Sequence, residues 1–399
     1  MGSPYQAIAA HIRVLTLLCL PAASAQASFL EEYMIDPEDG MLDMSKYLST
    51  IPAGFLLVPT IITEPAVGYG AGAAAVFFHE TDEQKKQRVT QGGMVPENIS
   101  ILGAGGTDNG TWFAGGGHIG FWRHDTIRYK GFVGYPSANL DFYTIGGIDL
   151  PKPIQMHVEG PGVLQEIKFK IPTTHWFVGG RQLYRNTEVE LSKEFSTDGL
   201  NENQAAIAEY LNENLNRSIT TSGAGLVAEF DSRNNPMNPE TGYNYRAEYL
   251  WFSDAIGSDI DYQSYRLTAL NYWKLSEQFY FDLRVQYDGV GGDTQNLPAY
   301  IPPSINLRGI SRTRYSGYDV AVIETQFSYK HTMRWKYLAF TGVGRAANSF
   351  GDLSDADNIN NFGVGFRYLI ARRYGLSMGL DVARGEDENA FYIQAGSTW

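Results

Sequence analysis

The chain is nearly devoid of cysteine: Cys19 is the one example in 399 residues. It lies near the N-terminus, so disulfides cannot hold the rest together. Leu18 also occupies the place where lipid attachment to Cys19 would need a small residue. After residue 28 no apolar run approaches the ~18 residues of a membrane-crossing helix, which excludes a helical membrane protein. Positive charge is scarce too. With 31 basic against 44 acidic residues and a net charge of −13, the chain lacks the basic stripes of a nucleic-acid binder. Enzyme signatures are missing as well. There is no G-x-S-x-G, no H-E-x-x-H and no paired metal spacing among the histidines. Nothing in the sequence singles out His118, His157 or His175 for catalysis. GYGAGAAA (68–75) does not lead into a helical pattern, so it is no nucleotide loop. GDLSDADNIN (351–360) gathers Asp352, Asp355 and Asp357 but lacks the glycine and distal Glu of an EF-hand, and reads as a solvated acidic loop. The expectation is a protein without enzymatic activity, cofactor or metal.

What the chain has is glycine (43), tyrosine (25) and phenylalanine (21). These favour half-buried pleated surfaces and hairpin turns. His11 and Arg13 precede the apolar run VLTLLCLPAA (14–23), and Ala23-Ser24-Ala25 and Ala25-Gln26-Ala27 follow as cleavage patterns. This layout reads as a secretory signal peptide over 1–27. Residues 28–53 then form a short periplasmic or lumenal segment, and 54–399 a β domain.

Beyond that point the period is two. In QFYFDLRVQYD (278–288), Phe279, Phe281, Leu283, Val285 and Tyr287 share one face, while Tyr280, Asp282, Arg284, Gln286 and Asp288 share the other. GYNYRAEYLW (242–251) and GLSMGLDVAR (375–384) alternate likewise. A soluble sandwich could show the same pattern. Strands of about ten residues, apolar faces bracketed by Tyr and Trp, and short turns alternating with long polar loops instead favour an outer-membrane barrel. Sixteen antiparallel transmembrane strands are expected, at 54–62, 66–79, 96–107, 111–122, 126–136, 155–170, 175–190, 219–230, 241–253, 260–274, 278–289, 317–331, 336–347, 360–370, 374–384 and 390–399. Pro59 interrupts the first. A short helical pattern lies around 203–215 in the long loop 191–218. In the terminal FYIQAGSTW, Phe391, Ile393, Ala395, Ser397 and Trp399 share a face, and the chain ends on an aromatic residue. This is similar to the C-terminal signal read by the barrel assembly machinery, which would insert the chain.

From Phe230 onward the chain resembles the barrel of the BamA and TamA superfamily, the bacterial surface antigen family. FDSRNNPMNPETGY (230–243) is similar to that family's periplasmic hairpin, with Asp231, Arg233, Pro236, Pro239 and Gly242 in the motif places. LRGI (307–310) resembles the arginine–glycine tip of the long sixth external loop, and RYSG (314–317) and VIETQFSY (322–329) continue the likeness. FTGVG (340–344), GVGFRY (363–368) and GLDVARG (379–385) follow in order. TEPAVGYGAG (63–72) resembles the opening strands of a subgroup lacking POTRA domains, and residues 28–53 are too few for one. Two positions depart from the family pattern: Ile310 stands where an aromatic residue is usual, and Gly342 where an acid is frequent.

The resemblance implies that the sixth loop turns into the lumen and latches there through Arg308, Gly309 and Arg314. Glu324 and Asp381, both on polar strand faces, are the expected counter-charges, because a confined guanidinium needs carboxylates. It implies a role in insertion or translocation of protein or lipid at the bacterial outer membrane. A passive pore or plugged structural barrel is the alternative, and an outer-membrane hydrolase ranks below both. The expected partners are outer-membrane lipid and lipopolysaccharide, together with a periplasmic partner or client that the sequence does not name; nucleic acid is not among them.

Overall fold

The computed structural model describes residues 32–50, 56–79, 83, 98–145, 148–193, 212, 215–235, 238–292, 294, 297–386, 388–397 and 399. The signal-peptide segment 1–27 and nearly all of the helical pattern at 203–215 lie outside them. Among the described residues one antiparallel sheet of 17 strands dominates. The strands are β1 (Leu56–Glu64), β2 (Gly68–Phe78), β3 (Asn98–Thr107), β4 (Trp112–Trp122), β5 (Ile127–Ile145), β6 (Ile148–Glu159), β7 (Gly162–Lys170), β8 (Trp176–Leu191) and β9 (Arg217–Asp231). The second half adds β10 (Gly242–Phe252), β11 (Tyr262–Lys274), β12 (Phe279–Gly292), β13 (Asp319–Lys330), β14 (Trp335–Ala347), β15 (Ile359–Ala371), β16 (Leu376–Arg384) and β17 (Asn389–Ala395).

Seventeen strands replace the expected sixteen because 155–170 is split. The break falls at Gly160–Pro161, where proline has no N–H to donate to a ladder. Both pieces pair with β5 on one side and β8 on the other. Residues 137–154, expected to be irregular, extend β5 and open β6. Pro151 and Pro153 lie in β6. They are tolerated because β6 reaches β8 only from Met156 onward, which leaves its first half as an edge.

The sheet is polar inside and apolar outside. Leu226 (73% exposed), Val364 (61%) and Leu102 (58%) face outward, whereas Glu324 (1%), Asp381 (0%) and Glu166 (2%) are buried. A soluble protein would bury the first set. Here the outer face suits lipid, and the buried carboxylates are neutralised by their neighbours. On β4 and β5, Trp112 stacks on Tyr135 at one end and Trp122 on Tyr129 at the other. Ten residues separate the two tryptophans, about 33 Å along a strand. A tilt near 40° reduces that to about 25 Å, the height of an outer-membrane apolar band.

Each strand pairs with its successor along the chain, β6 and β7 sharing one place. β17 comes back against β1, but the described residues form no ladder between these two. Pro59, in β1, pairs with Ala73 of β2 and has no N–H to offer on its other edge.

Residues 32–50, ending in helix α1 (Ser45–Thr50), dock on the short-turn end of β13–β16. Arg334, in the β13–β14 turn, binds Asp36 (2.6 Å), Asp39 (2.7 Å) and Asp43 (2.5 Å). Arg372, in the β15–β16 turn, binds Asp36 (3.0 Å) and Glu38 (2.5 Å). Backbone bonds from Met44 to Ile370 (2.6 Å) and from Arg373 to the Ser45 hydroxyl (3.0 Å) complete the contact.

The hydrogen bond from Arg334 holds the Asp39 carboxyl below its usual range, and Arg372 does the same for Glu38. At Asp43 burial pushes upward, but bonds from Ser45 and Arg334 outweigh it and the net direction is down. Carboxyls depressed by docking stabilise the docked state above their free values and lose that contribution as pH falls through the docked ones. Docking should therefore be intact at neutral pH and weaken below about pH 4. Limited proteolysis of the purified barrel should show cleavage within 36–50 accelerating at low pH. Arg334→Ala should accelerate it at neutral pH.

Candidate functional site

The segment between β12 and β13, over residues 297–318, crosses the buried face of the sheet. Its start packs on the far half, where Ala299 and Tyr300 meet Phe142, Met156, Val189 and Leu191. Further on, Ile305, Leu307 and Ile310 join Val320, Val322 and Ile359 in a second apolar cluster. Ile310, which stands where an aromatic residue is usual, is thus an apolar anchor. Between these anchors the chain presents Arg308.

Arg308 is 8% exposed. Its Nε donates to Glu324 Oε1 (3.0 Å), and its Nη1 to Asp381 Oδ2 (2.9 Å) and Gln326 Oε1 (3.1 Å). The guanidinium lies over the Phe340 ring, 3.4 Å from its centroid. Glu324 also accepts from Arg284 Nη2 (3.1 Å), Asn361 Nδ2 (3.2 Å) and the Trp399 indole N–H (2.8 Å). Asp381 accepts from Arg367 through Nη1 (2.5 Å) and Nη2 (2.9 Å). Gln326 passes the chain on to Asp282 (2.9 Å). Arg284, Arg308 and Arg367 thus pair with Glu324 and Asp381, and Asp282 is reached through the Gln326 amide.

Gly309 follows in the left-handed region (φ 84°), and a Cβ there would come within 2.9 Å of the Gly385 nitrogen. Its own N–H donates to the Tyr392 hydroxyl (2.9 Å). Gly342 sits in register with Glu324 and Asn361. A Cβ at Gly342 would lie 2.8 Å from both Leu307 and Asn361, so the loop occupies the volume an acid would need.

Arg314 does not join this cluster. It reaches Glu388 (3.5 Å) and the Tyr315 hydroxyl (3.2 Å), which ties the loop to the β16–β17 turn. Arg312 is exposed. At the opposite end Asp231 accepts from Arg128 (2.8 Å) and Arg233 (2.8 Å), and Gly242 opens β10. Pro236 lies outside the described residues. The expected face of the C-terminal strand needs correction. Phe391 and Ile393 are on the outer face, but Trp399 is not with them. The strand ends at Ala395, Gly396 takes a left-handed conformation (φ 79°), and the alternation is lost there. The chain then turns inward and places the Trp399 indole on Glu324.

Sequence reading missed Arg284, Gln326, Phe340, Asn361 and Arg367 as partners. Each follows the inward parity of its strand, but which of them meet depends on cross-strand register. A second buried network, with Arg246 on Glu166 (3.1 Å) and Arg181 on Glu248 (2.7 Å), joins the inner faces of β7, β8 and β10.

No protein-family model and no curated protein matches the chain. Solved structures do. BamA from Haemophilus ducreyi lacking POTRA domains 1–3 is similar over 92% of this chain and 81% of that one, at 10% identity and a TM-score of 0.53. CdiB from Acinetobacter baumannii (9% identity, TM-score 0.52) and CdiB from Escherichia coli (8%, 0.54) are similar over 86% and 85% of this chain. The chain spans 60% and 62% of those two proteins' lengths. The fold is therefore the outer-membrane β-barrel fold of BamA and CdiB.

Breaking a buried ion pair by removing one member costs about 3–5 kcal/mol, because the other charges stay buried. Arg308→Ala should lose roughly that much in urea unfolding from lipid bilayers. Arg312→Ala should stay within about 0.5 kcal/mol of the parent.

Proposed function

We propose that the chain is a bacterial outer-membrane barrel that aids insertion or translocation of protein or lipid, with its sixth loop latched inside the lumen by Arg308. The observation that carries this reading is the seam. Among the described residues every other neighbouring pair of strands forms a ladder, while β17 meets β1 without one. Across the seam Tyr69 of β2 stacks on Phe391 of β17, 5.7 Å between centroids. A cavity of 240 Å³ lined by Thr63, Glu64, Asn389 and Ala390 opens beside it. A closure held by one aromatic stack and side-chain packing opens at far less cost than a ladder of backbone hydrogen bonds. A second cavity, of 330 Å³, lies behind it between Glu64, Arg308, Tyr392 and Trp399. A chain or lipid entering by the seam would meet the latch first.

The plugged-barrel alternative is favoured by the interior networks, and conductance separates the two. In planar bilayers the proposed function predicts small, irregular openings that grow on Arg308→Ala. A large steady current from the parent would support a passive pore. Crosslinking Tyr69→Cys to Phe391→Cys with a short bismaleimide should abolish insertion of a co-reconstituted β-barrel client. Unchanged insertion would exclude passage through the seam.

A further inference from the structure

One polar cluster on the outer face belongs to neither network. On β5 and β6, Ser137 Oγ lies 3.2 Å from His157 Nε2, and His157 Nδ1 lies 2.9 Å from Asn139 Oδ1. The register sets Ser137 opposite Glu159 and Asn139 opposite His157, so the hydroxyl reaches the ring on the diagonal.

The tautomer follows from the next shell. Asn139 Nδ2 donates to the Asn109 carbonyl (2.9 Å), and Asn109 Nδ2 returns a bond to the Asn139 carbonyl (3.0 Å). A carbonyl can only accept, so the Asn139 amide presents its oxygen to the ring. Nδ1 of His157 therefore carries a proton, and Nε2 faces both the Ser137 hydroxyl and the Glu159 carboxylate. Thr111 fixes the same strand by accepting from the Asn139 backbone N–H (3.0 Å). The Glu159 carboxylate lies 3.3 Å from Nε2, where it would pair with an imidazolium once that formed.

We propose that Ser137, His157 and Asn139 form an ester-hydrolase site for acyl esters of membrane lipids. The position sets the substrate class. Ser137 shares its face with Val133 and Tyr135, which are exposed, and is in register with Trp112. Lys130, of opposite parity, pairs with Glu166 on the buried side. The cluster thus lies at the Trp112–Tyr135 stack, on the rim of the apolar band, where acyl ester carbonyls of a bilayer sit beneath their headgroups. Ser137 itself is 3% exposed. The Glu159 side chain, 30% exposed, lies beside it.

In the reaction Ser137 Oγ attacks the ester carbonyl while His157 Nε2 takes the hydroxyl proton. The acyl–oxygen bond breaks, and the proton passes to the departing alkoxide. A water molecule, deprotonated by His157, then cleaves the acyl-serine, which releases the fatty acid and restores Ser137. Asn139 is a positioning residue that holds the ring in its Nδ1–H form.

The test uses the full mature chain in detergent micelles, with heat-modifiable gel mobility as the check of folding. A fluorophosphonate probe should label the parent on Ser137 and fail on Ser137→Ala. Fatty acid release from phosphatidylethanolamine vesicles should fall about 10³-fold or more in Ser137→Ala and His157→Ala. Asn139→Ala should lower kcat with little change in KM, and Asn139→Asp should restore it. Vesicles containing lipopolysaccharide, assayed in parallel, show which lipid supplies the ester. A folded parent that is neither labelled nor releases fatty acid from either vesicle overturns the proposal, as does undiminished hydrolysis by folded Ser137→Ala.

Discussion

A guanidinium that leaves water must find carboxylates, and the interior of this barrel is arranged around that need. Arg308 comes from a loop, but what holds it comes from β13, β14, β15, β16 and Trp399. Glu324 gathers donors from Arg308, Arg284, Asn361 and Trp399, so one carboxylate couples the loop, the wall and the chain end. Such a network is poor evidence for net stability, since desolvation offsets much of the attraction. It is better understood as a means of specifying one loop position, because each alternative leaves a charge unpaired in a low-dielectric interior.

The network also bears on the seam. Trp399 lies just beyond the end of β17 at Ala395, and Tyr392 of β17 accepts the Gly309 N–H. The last strand is thus attached to the loop rather than to β1. At the other end of the barrel, residues 32–50 lead into β1 and bind Arg334 and Arg372 in the turns of β13–β16. The weakly joined strands are each restrained by groups other than one another. Under the proposed function, opening the seam means loosening side-chain contacts at its two ends, with no backbone ladder to unzip among the described residues.

Much of this was legible from the sequence. Outside β5–β7, period-two alternation placed the strands to within a few residues, since membrane strands must keep one face apolar over their whole length. The same parity pointed Glu324 and Asp381 inward. What the sequence hid was set by register and by breaks in the alternation. Arg284 and Arg367 sit on legible inward faces, yet their meeting with Glu324 and Asp381 depends on which residues lie opposite. Trp399 kept the right parity on paper, and one left-handed glycine at 396 removed it. The long β5–β6 hairpin was missed, and its two prolines, Pro151 and Pro153, fit only because of an edge that the fold defines. Ser137 and His157, twenty positions apart, become neighbours by the same register.

The central claim is that Arg308 is held against the inner wall by Glu324. A double-mutant cycle of Arg308→Ala and Glu324→Gln, read by urea unfolding in lipid bilayers, measures that directly. Coupling of about 2 kcal/mol or more is expected for groups in one buried network. Additive effects, within about 0.5 kcal/mol, would mean the two side chains do not meet and would contradict the account.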